Sequence, residues 1–279
     1  MRDLVDVDWL AEHLGAPGLV VLDASMAPPG TDEPLPTEGI PGAVRFDIDG
    51  RFSRQDDADG LGPVGVHDAL APDDLERELR WIGLRAGDRV VAYDAAGMFS
   101  SARAWWVLRA AGIDAAVLDG GLPAWVEAGH PLAPVSGTTG RAGDVSVRWD
   151  ASAFVDADVT AAALATGDAA VLDARSPARY SGAEPDPRPE VRAGHMPGAR
   201  SLHYAALAPG GRLLPEAELA ERLRAAAGEQ RIIASCGSGV TAAVVALAAT
   251  LVGRDATVYD GSWAEWGRAD SGRPIEAGD

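Results

Sequence analysis

Cys236 is the single cysteine of the 279-residue chain, and it opens the run Cys236-Gly237-Ser238-Gly239-Val240-Thr241 between a short apolar stretch and a longer one that begins at Ala242. This spacing predicts a strand, a tight loop and a helix start. Two closely placed glycines let the backbone curl around the sulfur, and the loop amides with the helix N-terminus form a positively polarised cradle. A thiolate, or an anion held beside it, would be stabilised there, so Cys236 is expected to be a nucleophile, with Gly237, Gly239, Val240 and Thr241 lining the substrate. A lone cysteine outside such a loop is usually a small inert hydrophobe. The Ser238 hydroxyl, two residues from the sulfur, can bond a substrate carbonyl or relay a proton, or it can fill the loop as a small residue.

A second group sits upstream. Arg179 and Arg188, nine positions apart (188 minus 179), flank a Pro-rich segment and offer two guanidiniums to a carboxylate. The alternative is that they pair with Glu184, Asp186 or Glu190. Between Asp23 and Ile40 the first half has no arginine, so the cations belong to the half with the thiol.

Composition excludes several functions. Lys plus Arg is 24 and Asp plus Glu is 42, a net charge of -18 that argues against a nucleic-acid partner. Every basic residue is arginine, which removes lysine Schiff-base chemistry. One cysteine rules out an internal disulfide, a Cys-x-x-Cys pair and a multi-cysteine zinc site. The five histidines (13, 67, 130, 195 and 203) lack His-x-x-x-His spacing, and Asp56-Asp57-Ala58-Asp59-Gly60 lacks the rest of a calcium loop, so no metal and no cofactor are expected. The start, Met1-Arg2-Asp3-Leu4, has no apolar leader core and no apolar run reaches membrane length, so a soluble, cytoplasmic protein without a membrane partner is expected.

The elements that must position these residues occur twice. Val20-Val21-Leu22-Asp23-Ala24 returns as Ala170-Val171-Leu172-Asp173-Ala174, and Ile40-Pro41-Gly42-Ala43 returns as Met196-Pro197-Gly198-Ala199. Arg89 to Asp94 matches Arg231 to Cys236, and Asp119-Gly120-Gly121 with Trp125 matches Asp260-Gly261-Ser262 with Trp266. The offsets (23 to 173, 40 to 196, 94 to 236, 119 to 260) are 150, 156, 142 and 141, the size of a domain. We therefore expect a duplicated domain over 1–134, a linker over 135–147 and a second domain over 148–279. Short strands at 19–22, 89–93, 116–118, 170–172, 231–235 and 256–259 alternate with helical segments at 72–81, 102–111, 215–227 and 241–252. That alternation predicts an α/β fold, with mainly parallel sheets flanked by helices and ligands beyond the strands' carboxyl ends. Asp94 stands where the second half has Cys236, so only the second copy is expected to be catalytic.

These motifs and this duplication resemble the two-domain rhodanese family of sulfurtransferases over nearly the whole chain. Ile40-Pro41-Gly42-Ala43, Gly194-His195-Met196-Pro197-Gly198-Ala199, Asp119-Gly120-Gly121 and Asp260-Gly261-Ser262-Trp263 stand where the family's signatures would stand. Within that family the uncharged loop resembles that of 3-mercaptopyruvate sulfurtransferases, whereas thiosulfate sulfurtransferases carry basic residues after the cysteine. The resemblance implies ping-pong transfer. Sulfur would pass from 3-mercaptopyruvate to a Cys236 persulfide, pyruvate would leave, and a thiol such as thioredoxin, or cyanide, would accept the sulfur. It also implies Arg179 and Arg188 as the carboxylate clamp. Asp49, in Phe46-Asp47-Ile48-Asp49, and a following histidine would act with Ser238. His67 takes that place, although the family's His-x-Leu-Pro is replaced by His67-Asp68-Ala69-Leu70-Ala71-Pro72. His195, Trp263 and Trp266 are expected to be structural. The alternatives are thiosulfate sulfurtransferase and a persulfide carrier fed by a protein donor. A related Cys-x5-Arg phosphatase is excluded, because the required arginine position holds Ala242.

Overall fold

A computed structural model describes residues 2–27, 31, 34–54 and 66–278. The chain forms two compact units, one of Met1–Arg54, Ala69–Ala151 and Gly210–Leu213, the other of Gln55–Asp68, Ser152–Pro209 and Leu214–Asp279. The change from one unit to the next falls between 151 and 152, past the expected linker at 135–147. The Pro- and Gly-rich stretch satisfies its backbone along the first unit, with Val135 N donating to Thr37 O at 2.9 Å, Thr139 N to Ile82 O at 2.8 Å and Arg148 N to Ala111 O at 2.9 Å. It runs as a strap on that unit. The acidic loop at 56–60 lies outside the described residues.

The first unit holds the strands β1 (Leu4–Val5), β2 (Leu19–Asp23), β3 (Glu38–Gly39), β4 (Val44–Arg45), β5 (Arg89–Tyr93), β6 (Asp114–Leu118) and β7 (Ala133–Pro134). Its helices are α1 (Val7–His13), α2 (Pro72–Trp81), α3 (Ser101–Ala110) and α4 (Gly121–Glu127). Five of the strands make a parallel sheet in the order β1-β6-β5-β2-β4, and β3 pairs antiparallel with β7.

The second unit has β8 (Phe154–Val155), β9 (Ala169–Asp173), β10 (Arg200–Ser201), β11 (Arg231–Ser235) and β12 (Ala256–Tyr259). Around them lie α5 (Ala157–Thr166), α6 (Pro177–Ser181), α7 (Tyr204–Leu207), α8 (Glu216–Ala227), α9 (Ala242–Leu251) and α10 (Ser262–Trp266). Its sheet order, β8-β12-β11-β9-β10, again all parallel, repeats that of the first unit strand for strand. Even the caps repeat: Asp6 accepts from Trp9 N at the start of α1 and Asp156 from Val159 N at the start of α5, both at 2.8 Å.

Burial explains the composition of each element. In β11 Ile232, Ile233 and Ala234 are fully buried, as a central strand covered on both faces requires. α9 is buried from Ala242 through Ala249, so it carries no polar face; α8 buries only Leu219, Leu223 and Ala227, one stripe at four-residue spacing. The core of the second unit gathers Val171, Ile233, Met196, Tyr259, Trp263 and Trp266. No helix among the described residues is long and apolar enough to cross a membrane.

Candidate active site

Cys236 follows β11 directly, at the carboxyl end of the middle strand, and is 2% exposed. Two further segments hold its loop. The Cys236 amide donates to Ser262 Oγ at 3.1 Å, and Ser262 Oγ donates to Tyr259 O at 2.8 Å. Trp263 N donates to Cys236 O at 3.0 Å and Ala264 N to Gly237 O at 2.8 Å. The first turn of α10 thus braces the Cys236 loop through its carbonyls, and Ser262 adopts a left-handed backbone (φ 51) to do so.

The two loop glycines serve different ends. Gly239 has φ +76, a conformation that favours glycine. At Gly237 a Cβ would lie 3.3 Å from Nη2 of Arg179, a close approach. The Arg179 guanidinium therefore sits against the thiol loop.

Arg179 lies on α6, whose N-cap Ser176 accepts from the Arg179 amide at 3.3 Å, and Arg188 lies in the segment that follows. Both guanidiniums meet one carboxylate. Arg179 Nη2 donates to Asp186 Oδ2 at 2.5 Å, and Arg188 Nη1 donates to Asp186 Oδ1 at 3.0 Å. The Asp186 side chain is 1% exposed, while those of Arg179 and Arg188 are 17% and 16% exposed. Pairing with Asp186 and placement beside the thiol loop hold together, although the sequence offers them as alternatives.

Ser238 is 6% exposed and its Oγ lies 2.7 Å from Nδ1 of His67, itself 5% exposed. These residues are 171 positions apart. His67 belongs to the second unit even though it precedes most of the first in sequence. Val240 and Thr241 are buried in the approach to α9. Asp49 lies exposed in a turn of the first unit after β4, where Phe52 N donates to Asp47 O. His195 stacks on Tyr180 with ring centroids 4.0 Å apart and sets Nδ1 3.0 Å from Tyr180 O.

Arg175 is a residue the sequence reading passes over. It is 4% exposed, forks onto Asp173 with Nη2 to Oδ2 at 2.6 Å, donates to Gly194 O at 2.8 Å, and places its guanidinium 4.5 Å above the Trp263 ring. Removing one partner of such a buried pair costs about 3–5 kcal/mol, against at most about 1 kcal/mol for exposed pairs. Arg175 therefore fixes the end of β9 and, through Trp263, the brace on the Cys236 loop. The signal for it is the contrast of Asp173-Ala174-Arg175 with Asp23-Ala24-Ser25 in the repeat. Nearby, burial and the charge of Glu265 push the Tyr259 phenol well above its ordinary range, so it stays protonated and donates to Glu265 Oε2 at 2.8 Å.

In the first unit the residue after β5 is Asp94, 1% exposed. Its Oδ2 accepts from the amides of Phe99, Ser100 and Ser101 at 2.9, 2.9 and 2.8 Å, and Oδ1 accepts from Ala96 N at 2.9 Å. The loop is a cup of amides around an anion. Among the described residues, no group of three His, Cys, Asp or Glu side chains is placed to hold a metal ion.

The Rhodanese-like domain family matches the chain twice, over residues 6–128 and 156–269. The 3-mercaptopyruvate sulfurtransferase of Escherichia coli (strain K12) is 36% identical over 282 residues, covering 98% of this chain and 97% of that one. The thiosulfate/3-mercaptopyruvate sulfurtransferase 1, mitochondrial, of Arabidopsis thaliana is 32% identical over 297 residues, covering 94% of this chain and 75% of that protein. Among solved structures, SseA from Escherichia coli, described as showing the rhodanese fold of 3-mercaptopyruvate sulfotransferases, superposes with a TM-score of 0.81 at 32% identity, covering 94% of this chain and 99% of that one.

Proposed function

This chain belongs to the rhodanese family as a tandem-domain sulfurtransferase similar to 3-mercaptopyruvate enzymes, and from that premise we propose that it takes sulfur from 3-mercaptopyruvate onto Cys236 and hands it to a thiol acceptor. The observation that carries this choice of donor is the Arg179 guanidinium against Gly237, tied to Arg188 through Asp186. A paired-arginine site suits a planar carboxylate held apart from the sulfur that is transferred, while the loop itself bears no charge for a compact dianion.

The donor carboxylate binds the two arginines. The Cys236 thiolate attacks the donor sulfur, an S–S bond forms, and the C–S electron pair leaves on carbon as the enolate of pyruvate. A proton on that carbon completes pyruvate, and the sulfur remains as the Cys236 persulfide. Amides of the cup stabilise the persulfide anion, as the matching amides of the first unit hold the Asp94 carboxylate. Ser238, hydrogen-bonded to His67, meets the keto oxygen as charge develops there and relays the proton. A role for Asp49 in that relay rests on the Phe46 to Asp49 resemblance alone. In the second half-reaction an acceptor thiolate, thioredoxin or a small thiol, or cyanide in an assay, attacks the outer sulfur and restores the Cys236 thiol.

Steady-state kinetics with 3-mercaptopyruvate and thiosulfate, with cyanide as common acceptor, test the proposal. The expected result is a higher kcat/KM for mercaptopyruvate, abolished in Cys236→Ser and lowered about 10- to 100-fold in Arg188→Ala, mainly through KM. A preference for thiosulfate, a donor named for the plant relative, would overturn the donor assignment. Turnover with neither, alongside loading by a protein donor, would make the chain a persulfide carrier.

A further inference from the structure

We infer that Asp186 is the positioning and specificity residue of the donor clamp: one buried carboxylate that joins two guanidiniums into a site of net charge +1, matched to a monocarboxylate donor and set against a dianion. The inference rests on the proposed role of Arg179 and Arg188 and adds what sets their selectivity. Asp186 is the most buried of the three side chains and takes one terminal nitrogen from each arginine, Nη2 of Arg179 and Nη1 of Arg188. The Arg188 amide also donates to Asp186 Oδ1 at 3.1 Å, which fixes the backbone between them. Asp186 thus sets the directions of both guanidinium forks before any ligand arrives, and less ordering remains to be done on binding.

Charge decides the selectivity. Two guanidiniums and one carboxylate leave a single positive charge, which one donor carboxylate neutralises. A dianion would leave excess negative charge beside the thiolate loop. Removing the Asp186 charge raises the clamp to +2, and an added positive charge favours a dianion twice as strongly as a monoanion.

The test titrates Cys236→Ser protein, with and without Asp186→Asn, by calorimetry with pyruvate and with thiosulfate, and measures donor kinetics for wild type, Asp186→Asn and Asp186→Glu. We expect Asp186→Asn to shift both the ratio of the two affinities and the ratio of kcat/KM for the two donors about tenfold toward thiosulfate, chiefly through Kd and KM, with Asp186→Glu restoring the wild-type preference. A merely structural role would lower both donors by one factor and leave the ratios unchanged; that result, or no change at all, overturns the inference. If Asp186→Asn does not fold, Asp186→Ser carries the same comparison. Wild-type protein that fails to turn over mercaptopyruvate would sink the donor assignment by itself, and the anion titrations would still decide whether Asp186 sets the charge preference.

Discussion

After β5 four backbone amides close on the carboxylate of Asp94, and after β11, at the matching position 142 residues later, the chain carries the thiol of Cys236. Both loops leave the middle strand of the same five-stranded arrangement, and the turn after the following strand braces both: Leu122 N donates to Asp94 O at 2.9 Å, as Trp263 N donates to Cys236 O. In the first unit the frame is an anion-holding device. In the first unit the chain supplies its own anion, so the cup is filled. In the second the matching position holds a thiol. What separates the two loops is thus the side chain at one position together with cations brought from elsewhere: Arg179 and Arg188 have no counterpart between Asp23 and Ile40.

The comparison breaks most sharply if a thiol alone is enough. In Cys236→Ser/Asp94→Cys protein the nucleophile moves to the first unit without an arginine pair, and we expect the loss of activity, at least about 1,000-fold, to persist in cyanide-linked assays. Recovery would show that the cup suffices. A smaller effect is expected from emptying the filled cup: Asp94→Ala should lower stability by about 2–4 kcal/mol in urea unfolding, because buried amides lose a charged acceptor. A change below about 0.5 kcal/mol would mean that water replaces the carboxylate freely.

Ser238→Ala and His67→Gln address the polar pair of the second unit. Each should reduce kcat for mercaptopyruvate by about 10- to 100-fold, with little change in KM, and the double variant should lose no more than the worse single one. Additive losses would separate the two roles.

The smallest effect concerns the bracing turn of the first unit. Burial raises the Asp119 carboxyl above its ordinary value, although Leu213 N donates to it at 2.9 Å. Its ionised form is thus disfavoured on folding, so this group weakens the fold as pH rises from its unfolded value through its raised folded value. Asp119→Asn should remove that slope in a pH series of urea melts, and an unchanged slope would assign it to another group.

Much of this protein is legible in one dimension, and particular residues show why. The Cys236 loop, the alternation of β and α segments and the repeat are local or periodic patterns, so strand and helix positions such as Pro72–Trp81 and Arg231–Ser235 follow directly. The course of the stretch over 135–147 does not follow, because it has the composition of a connector and only the structure shows where its amides find carbonyls. Arg175 is invisible for a related reason: an arginine reads as surface until a buried Asp173 and the Trp263 ring enclose it.

The sequence by itself determined the strand–loop–helix setting of Cys236 and the duplicated frame, since these rest on neighbours along the chain. Only the tertiary structure decided that Asp186 bridges both arginines with Arg179 against Gly237, that His67 meets Ser238 across 171 positions, and that Ser262 holds the Cys236 amide. Charge pairing and hydrogen bonding act over a few ångströms of space regardless of sequence separation, so the partner of each group is chosen by packing, which no stretch of local sequence contains.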